Sequence, residues 1–395
     1  MKNIQNAELQ NKRVFVRVDF NVPLNEQLQV TDDRRIRAAV PTIQTLTQKG
    51  AIVILASHLG RPKKGYEEKY SLKPIVPVLS RLLNQTVHFA KDCIGDETYQ
   101  QIQSLKSGEV ILLENLRFYP EEEKGDLVFS KKLASLAEVY VNDAFGTAHR
   151  AHASTAVIAQ FFTEKYAGFL LEAEVLNANK VLNNIQKPYT AIIGGAKVSD
   201  KILIIQNLIS KVDNLLIGGG MAFTFLKALG YNIGKSLCEE DRIEAAKEII
   251  QKAKELKVNI LLPLDVVTAK EFKNDTEFLT VDIEKIPSES MGLDIGARTI
   301  EAYSKVVLES QTILWNGPMG VFEMDNFAKG TLAIAQAVAK ATQEKKAYSL
   351  IGGGDSAAAI EKAQLVEKVS YVSTGGGALL EYLEGKQLPG IVSLE

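Results

Sequence analysis

Two groups of residues in this chain have the types and spacing for chemistry, and they fall in different halves. The first half holds Arg17, Arg35, Arg61, Arg117 and Arg150, together with all four histidines, His58, His88, His149 and His152. Three of those arginines sit at the C-terminal ends of different predicted strands, so the fold should bring them together. Like charges ~4 Å apart repel by about 4 kcal/mol at an effective dielectric near 20, so such a cluster implies an anion, or several carboxylates, among them. Guanidinium forks suit phosphate or carboxylate groups. The competing reading, solvated surface charge, is the ordinary one for any single arginine.

The second half carries glycine. GGAKVSDK (194–201), IGGGM (217–221), NGPMG (316–320), IGGGDS (351–356) and STGGGA (373–378) each follow a short β-branched or aromatic run. Glycine lets a phosphate approach bare backbone N–H groups, and a helix starting after such a loop presents unpaired donors with partial positive charge. Plain turn chemistry satisfies any one cluster. Five at the ends of successive strands line one edge of an open parallel sheet, where ligands bind, and imply a single nucleotide site. Asp355 follows three glycines and would face bound phosphates; magnesium, which is hard and prefers oxygen, is usually held by one or two carboxylates plus phosphates. The alternative for Asp355 is a helix cap. Lys197 and Lys201 lie four apart, on one face if a helix begins near Ala196, and their ammonium groups suit a transferring phosphoryl group. Glu323, after NGPMGVF, can accept from ribose hydroxyls or can be a plain surface glutamate, and spacing does not choose between them.

Three motif matches need weighing. His149-Arg-Ala-His152 has a metal-like spacing but no third ligand nearby, so zinc is set aside; His58 and His149 read as donors to an anion, and His88 as structural. GYNIGKS (230–236) has three residues between its glycines where a P-loop needs four, and Leu229 stands where the glycine would be. GGGDSA (352–357) does match the dinucleotide fingerprint after a strand, which makes an NAD-dependent dehydrogenase the rival enzyme. The next strand, however, ends in Val372-Ser373-Thr374 and offers no acid for the ribose hydroxyls.

The elements that must position these groups are short apolar runs with helical stretches between them. The runs are 14–18, 52–56, 110–113 and 139–141 in the first half, then 189–193, 214–217, 260–262, 312–315, 347–351 and 369–372. Strands this short and two-sidedly apolar, alternating with amphipathic segments such as 241–256 and 328–342, read as βαβ units in parallel sheets. Residues 168–183 have helical spacing and are followed by Lys187-Pro188, a connecting helix with a stop. The expected fold is therefore α/β: two lobes, each a Rossmann-like parallel β-sheet flanked by helices, joined by a helix, with a cleft between. A length of 395 residues allows two or three domains. The net charge of −2 argues against nucleic acid or an anionic membrane surface as partner. Cys93 and Cys238 lie far apart with no CxxC spacing, which suggests a reducing compartment. The start MKNIQNAELQNKR lacks the apolar core of a signal peptide, and no run reaches membrane length, so a cytoplasmic protein is expected.

RVDFNVPL (17–24), ASHLGRP (56–62), ENLRF (114–118), NDAFGTAHRAH (142–152), GGAKVSDK, IGGGMAFTF, WNGPMGVFE, GGGDS and STGGGA occur in this order, and along essentially its whole length the chain resembles the phosphoglycerate kinase family. The resemblance implies reversible phosphoryl transfer from 1,3-bisphosphoglycerate to MgADP, giving 3-phosphoglycerate and MgATP in glycolysis. By motif, Asp19, Phe20, Asn21, Arg35, His58, Leu59, Gly60, Arg61, Arg117 and Arg150 would hold the phosphoglycerate. Gly195, Lys201, Gly219, Gly292, Asn316, Pro318, Glu323, Gly353, Gly354, Asp355 and Ser356 would hold ATP or ADP, with Asp355 on the magnesium. Arg35, Lys197, Lys201 and Gly376, the last through the helix start at 375–377, would surround the transferring group. Arg34 and Arg35 form a doublet where the family has an arginine before an apolar residue, so Arg35 is taken. Ala297 and Leu379 depart from the family pattern, where proline and serine are expected.

The resemblance also implies a phosphoglycerate lobe of residues 1–170 with a returning tail, 378–395, and a nucleotide lobe of 171–377 that includes the connecting helix 171–184. A monomer is expected, and glycines at the predicted lobe crossings place its bending near 168–171 and 374–377. The implied chemistry suits the residue inventory. In the ATP-consuming direction the nucleophile is a carboxylate, ionised at neutral pH, so no general base is needed. Catalysis reduces to alignment and charge neutralisation at a loose transition state, reached when closure brings the substrates into line and expels water. A non-catalytic scaffold is the remaining alternative, and intact Lys197, Lys201, Arg35 and Asp355 argue against it.

Overall fold

Arg13–Val18 (β1), Ile52–Ala56 (β2), Val87–Phe89 (β3), Val110–Leu112 (β4), Val139–Asp143 (β5) and Glu164–Ala167 (β6) form the first sheet of the computed structural model, which describes residues 1–395. All pair in parallel, in the order β3-β4-β2-β1-β5-β6. The interior strand β5 is buried at every position and the central strand β1 at all but its first. Strands covered on both faces lose the in-out alternation and read as continuous apolar runs, which is why the sequence marks them. The edge strands β3 and β6 are short and half-buried, and no apolar run announces them. Parallel register puts Arg17 beside Ala56 of β2 and Asn142 of β5. The segments that follow these strands therefore leave the sheet side by side.

A second parallel sheet of six strands comprises Tyr189–Ile193 (β7), Asn214–Ile217 (β8), Asn259–Leu261 (β9), and, after the three strands described below, Thr312–Asn316 (β13), Tyr348–Gly352 (β14) and Tyr371–Val372 (β15). Its order is β15-β14-β13-β7-β8-β9. Chain order reverses direction between β7 and β13, the switch point at which open parallel sheets bind ligands. Strands β7 and β13 are fully buried, and Trp315 is the largest of the fully buried side chains.

The parallel sheet expected of the second lobe is present, and beside it lies a small sheet that the apolar runs do not announce. Asp265–Ala269 (β10), Phe278–Asp282 (β11) and Met291–Ile295 (β12) form a separate antiparallel sheet, ordered β11-β10-β12. The first three residues of β11 are exposed. An antiparallel sheet tolerates one wet face, so its strands carry no two-sided apolar run for the sequence to show.

The chain separates into two units, Met1–Val175 with Gln387–Glu395, and Leu176–Lys386. The returning segment is thus shorter than 378–395, because the helix Gly377–Leu383 packs on the helix Ile202–Leu208 within the second unit. Gly390 N–H then donates to Ala148 O at 2.8 Å, Lys165 Nζ donates to Ser393 O at 2.7 Å, and Leu388 and Leu394 are buried.

The helix Phe169–Leu182 begins in the first unit and ends in the second. Its first turn is anchored from a distance: Asp143 Oδ1 accepts from Leu170 N–H at 2.9 Å and Leu171 N–H at 3.2 Å, while Thr42 Oγ1 accepts from Phe169 N–H at 2.9 Å. Unpaired helix N-termini favour such a carboxylate. Gly168 is required by closeness, since a Cβ there would lie 2.2 Å from Asp143 Oδ1. Burial pushes the Asp143 carboxyl up to about 6, against the opposing hydrogen bonds of Thr42, Leu171 and Leu170. Between the ordinary carboxylate range and pH 6 the folded chain therefore holds a proton that the unfolded chain has released. The contribution of Asp143 to stability falls as pH rises through that window, at up to about 1.4 kcal/mol per pH unit. Asp143→Asn keeps the acceptor and cannot ionise. Urea unfolding of both chains from pH 4 to 6.5 should show the wild type losing stability relative to the variant as pH rises; parallel curves would contradict the assignment.

Candidate functional site

In the first unit the segments after β1, β2, β4 and β5 knit into one constellation. Arg35, in the first turn of the helix Arg34–Gln48, donates through Nη1 to Asn21 O at 3.0 Å and lies 3.2 Å from Asp19 Oδ2. Its neighbour Arg34 turns outward to Asp32. Phe20 N–H donates to Ser57 Oγ at 2.8 Å, and Gly60 N–H to Asn21 Oδ1 at 2.9 Å. Arg117 Nη1 donates to Gly60 O at 2.7 Å, and Asn115 clamps both the N–H and the C=O of Leu59, at 3.2 and 2.7 Å. Asp19, His58, Leu59 and Arg117 are buried, whereas Arg61 is exposed. A cavity of about 280 Å³ opens beside Asn21, Leu59, Gly60 and Tyr70.

Electrostatics show that the arginines converge. Burial holds His58 well below the ordinary imidazole value, and Arg17, Arg117, Arg150 and Arg35 push it further in the same direction. His152 is lowered to about 4 by burial, with Arg117, Arg17 and Arg150 adding to it. Arg117 itself is lowered by burial, and Arg150 and Arg17 oppose its charge. The imidazoles of His58 and His152 are thus neutral at physiological pH. Arg150 Nε donates to His149 Nε2 at 3.2 Å, so that nitrogen of His149 supports Arg150 and is not the anion donor expected of it.

In the second unit the glycine turns after β7 and β13 interlock at the switch point. Gly194 N–H donates to Asn316 O at 2.9 Å and Gly195 N–H to Pro318 O at 3.0 Å. Gly317 has φ +98°, and a Cβ there would lie 2.2 Å from Gly194 O, so no other residue fits the turn. Gly317 N–H donates to Ser356 Oγ at 2.6 Å, and Asn316 Nδ2 donates to Gly352 O at 2.7 Å. The turn after β14 is thereby tied to the same edge. Gly353 caps the helix Gly354–Lys362, whose first turn exposes Asp355.

Lys201 Nζ donates to Asn316 Oδ1. Burial lowers its pKa, with Asp200, Asp355 and Glu384 opposing the shift. The helix on which Lys197 and Lys201 were to share a face starts only at Ile202. Both lysines therefore lie in the loop before it, and Lys197 is exposed and contributes charge beside Glu239. Gly376, at φ 51°, precedes the helix Gly377–Leu383.

Next to the glycine edge lies a cavity of about 490 Å³, lined by Gly195, Gly219, Gly292, Pro318, Glu323 and Asp355 among the expected residues. Its other walls, Phe223, Leu237, Phe272, Met291 and Val321, are apolar. Sequence reading missed them, because nothing in their spacing distinguishes a cavity wall from core; Phe223, three residues after Gly220, carried the nearest signal. Asp294 also lines the cavity, and burial pushes its carboxyl up to about 7. It accepts from Gly330 N–H at 2.8 Å and Ile295 N–H at 2.9 Å, which fastens the helix Lys329–Lys345 to β12. An apolar slot beside bare amides and a carboxylate suits a flat base joined to phosphates.

Replacing Ser356 by alanine leaves the Gly317 N–H buried without its acceptor. A cost of about 1–3 kcal/mol follows. Chemical denaturation of Ser356→Ala should show that loss, and unchanged stability would mean the turn is held by its glycines alone.

The phosphoglycerate kinase family model matches residues 4–386. The chain is 53% identical over 393 residues to the phosphoglycerate kinase of Chlorobium phaeobacteroides (strain BS1), covering 100% of this chain and 99% of that one. It is 54% identical over 397 residues to that of Anaeromyxobacter sp. (strain Fw109-5), again covering 100% and 99%. The solved structure of phosphoglycerate kinase from Coxiella burnetii superposes with a TM-score of 0.91 at 45% identity, covering 99% of this chain and 98% of that one.

Proposed function

The chain belongs to the phosphoglycerate kinase family, and from that premise we propose how its two units share the work. The reaction is the reversible transfer of a phosphoryl group between 1,3-bisphosphoglycerate and ADP, giving 3-phosphoglycerate and ATP. The observation that carries the division is the chemical contrast between two sheet edges: arginine and histidine at the first, bare glycine amides at the second. Asp19, Phe20, Asn21, Arg35, His58, Leu59, Gly60, Arg61, Arg117 and Arg150 bind the three-carbon acid. Neutral His58 offers an N–H, and the arginines offer forks whose mutual repulsion the anionic substrate relieves.

The nucleotide base enters the apolar cavity, and its phosphates run along Gly195, Gly219, Asn316, Pro318 and Gly353 to Ser356, while Glu323 accepts from the ribose and Gly292 closes on the base. Lys201, positioned by Asn316, meets the transferring phosphoryl together with Arg35, Lys197 and the Gly376 amide. Asp355 is the residue that would hold magnesium: it is a single exposed carboxylate at a helix start, and no group of three or more His, Cys, Asp or Glu could hold a metal by itself. That donor set fits an ion shared with phosphates. When bound there, magnesium neutralises phosphate charge. No protein group needs to remove a proton, since the attacking carboxylate is already ionised. Alignment and charge neutralisation are the whole of the catalysis.

In-line transfer needs both substrates within bonding reach; we place the bending near 168–171, at the start of the crossing helix Phe169–Leu182, and at 386–387 in place of the expected 374–377, which lies inside the second unit. Each constellation is complete within one chain, which supports a working monomer. No helix is long and apolar enough to cross a membrane, and with the glycolytic reaction this supports a cytoplasmic setting.

Lys201→Ala tests the catalytic assignment. Its working partner is ligand, so kcat should fall about 10²–10³-fold while the midpoint of urea unfolding stays within the range of ordinary surface changes. Equal loss of turnover and folding would contradict it.

A further inference from the structure

Arg17 is buried to 1% exposure, and its donors point into protein. Nε donates to Ser154 Oγ at 2.8 Å, Nη1 to Val18 O, and Nη2 lies 3.2 Å from His58 Nδ1. Behind Ser154 stands Glu122, fully buried in the helix Pro120–Lys124. Ser154 Oγ donates to Glu122 Oε1 at 2.5 Å, and Ser154 N–H donates to Oε2 at 3.0 Å. A buried anion and a buried cation are thus joined through one hydroxyl, which accepts from the cation and donates to the anion.

We propose that Arg17 is a positioning residue that, held by Ser154 and Glu122, fixes His58 in the tautomer with its proton on Nε2 and so readies that N–H for an oxygen of the three-carbon acid. The argument is one of valence. A guanidinium only donates, so the nitrogen it faces must accept, and in a neutral imidazole the proton is then on the other nitrogen. The competing acceptor for an Nδ1 proton, Asp19 Oδ1, is 4.0 Å away and beyond hydrogen-bond reach. The charged groups around the ring are Arg17 on β1, Arg35 on the helix Arg34–Gln48, Arg117 after β4, Arg150 after β5, and Asp19 after β1. Four cations against one acid keep the ring uncharged, as burial does. His58 therefore offers the same donor across the physiological range and adds no further positive charge to a crowded site. The proposal rests on the reading of His58 as a contact of the acid, but the tautomer can be tested without ligand.

The test is long-range ¹H–¹⁵N spectroscopy of the full chain labelled at histidine, with the His58 signals assigned by their loss in His58→Gln. The expected spectrum has Nδ1 unprotonated and Nε2 protonated, unchanged from pH 8 to 5.5. The paired substitution Arg17→Met with Glu122→Gln removes both buried charges together, so neither is left alone. In it His58 should titrate toward the ordinary imidazole range with mixed tautomers, and KM for 3-phosphoglycerate should rise about three- to tenfold, with kcat falling much less. A proton on Nδ1 in the wild type, or a paired variant whose His58 spectrum matches the wild type, overturns the proposal. If the tautomer results are as expected but His58→Gln leaves KM for 3-phosphoglycerate unchanged, the relay stands and the substrate role of His58 falls.

Discussion

Positive charge gathered at the C-terminal edge of a parallel sheet is the constraint around which the first unit is built. Arg17, Arg35, Arg117 and Arg150 all act on His58, and like charges so placed repel. The fold tolerates them by giving most of them protein acceptors. Arg35 leans on Asp19 and Asn21, Arg117 on Gly60 O, and Arg17 on the Ser154–Glu122 pair. Those same acceptors fix the guanidinium directions, so the cluster is organised before any substrate arrives. Organisation of this kind lowers the cost of aligning an anion, and alignment is most of what phosphoryl transfer asks of a protein.

The second unit meets the opposite demand with the same architecture. On the proposed reading its switch point receives polyphosphate, and there side chains are absent and carbonyls and amides are paired across turns, as in Gly194 with Asn316 and Gly195 with Pro318. Gly317 cannot carry a Cβ against Gly194 O. Asn316 serves both tasks: its Nδ2 holds Gly352 O and its Oδ1 holds Lys201. One side chain thereby sets the distance between two turns and the place of the ammonium group.

How much of this was legible in the sequence follows from what parallel sheets do. Interior strands such as β1, β5, β7 and β13 are buried on both faces, so their apolar runs could be read, and the polar or glycine segments after them had to emerge on one edge. Strands β3 and β6 are too short and too exposed to leave that signature, and β10 to β12 belong to a sheet with a wet face. Lys197 and Lys201 were expected to share a helix face; the loop runs on to Lys201, and spacing without a helix says nothing about direction. The apolar walls of the cavity, the anchoring of Phe169–Leu182 by Asp143, and the partner of His58 depend on where side chains point across elements. Residue order does not encode that in any local pattern.

The central claim is that a preorganised cationic edge in the first unit, and not the glycine edge of the second, receives the three-carbon acid. Hydrogen exchange of the full chain with and without saturating 3-phosphoglycerate, in the absence of nucleotide, tests it most directly. The account predicts slowed exchange confined to the amides of residues 19–21, 58–61 and 117–119 and the segment around Arg150, with the turns at 194–196, 316–320 and 353–356 unaffected. Protection of those glycine turns by the acid alone, or no protection of the arginine edge at saturation, would contradict it.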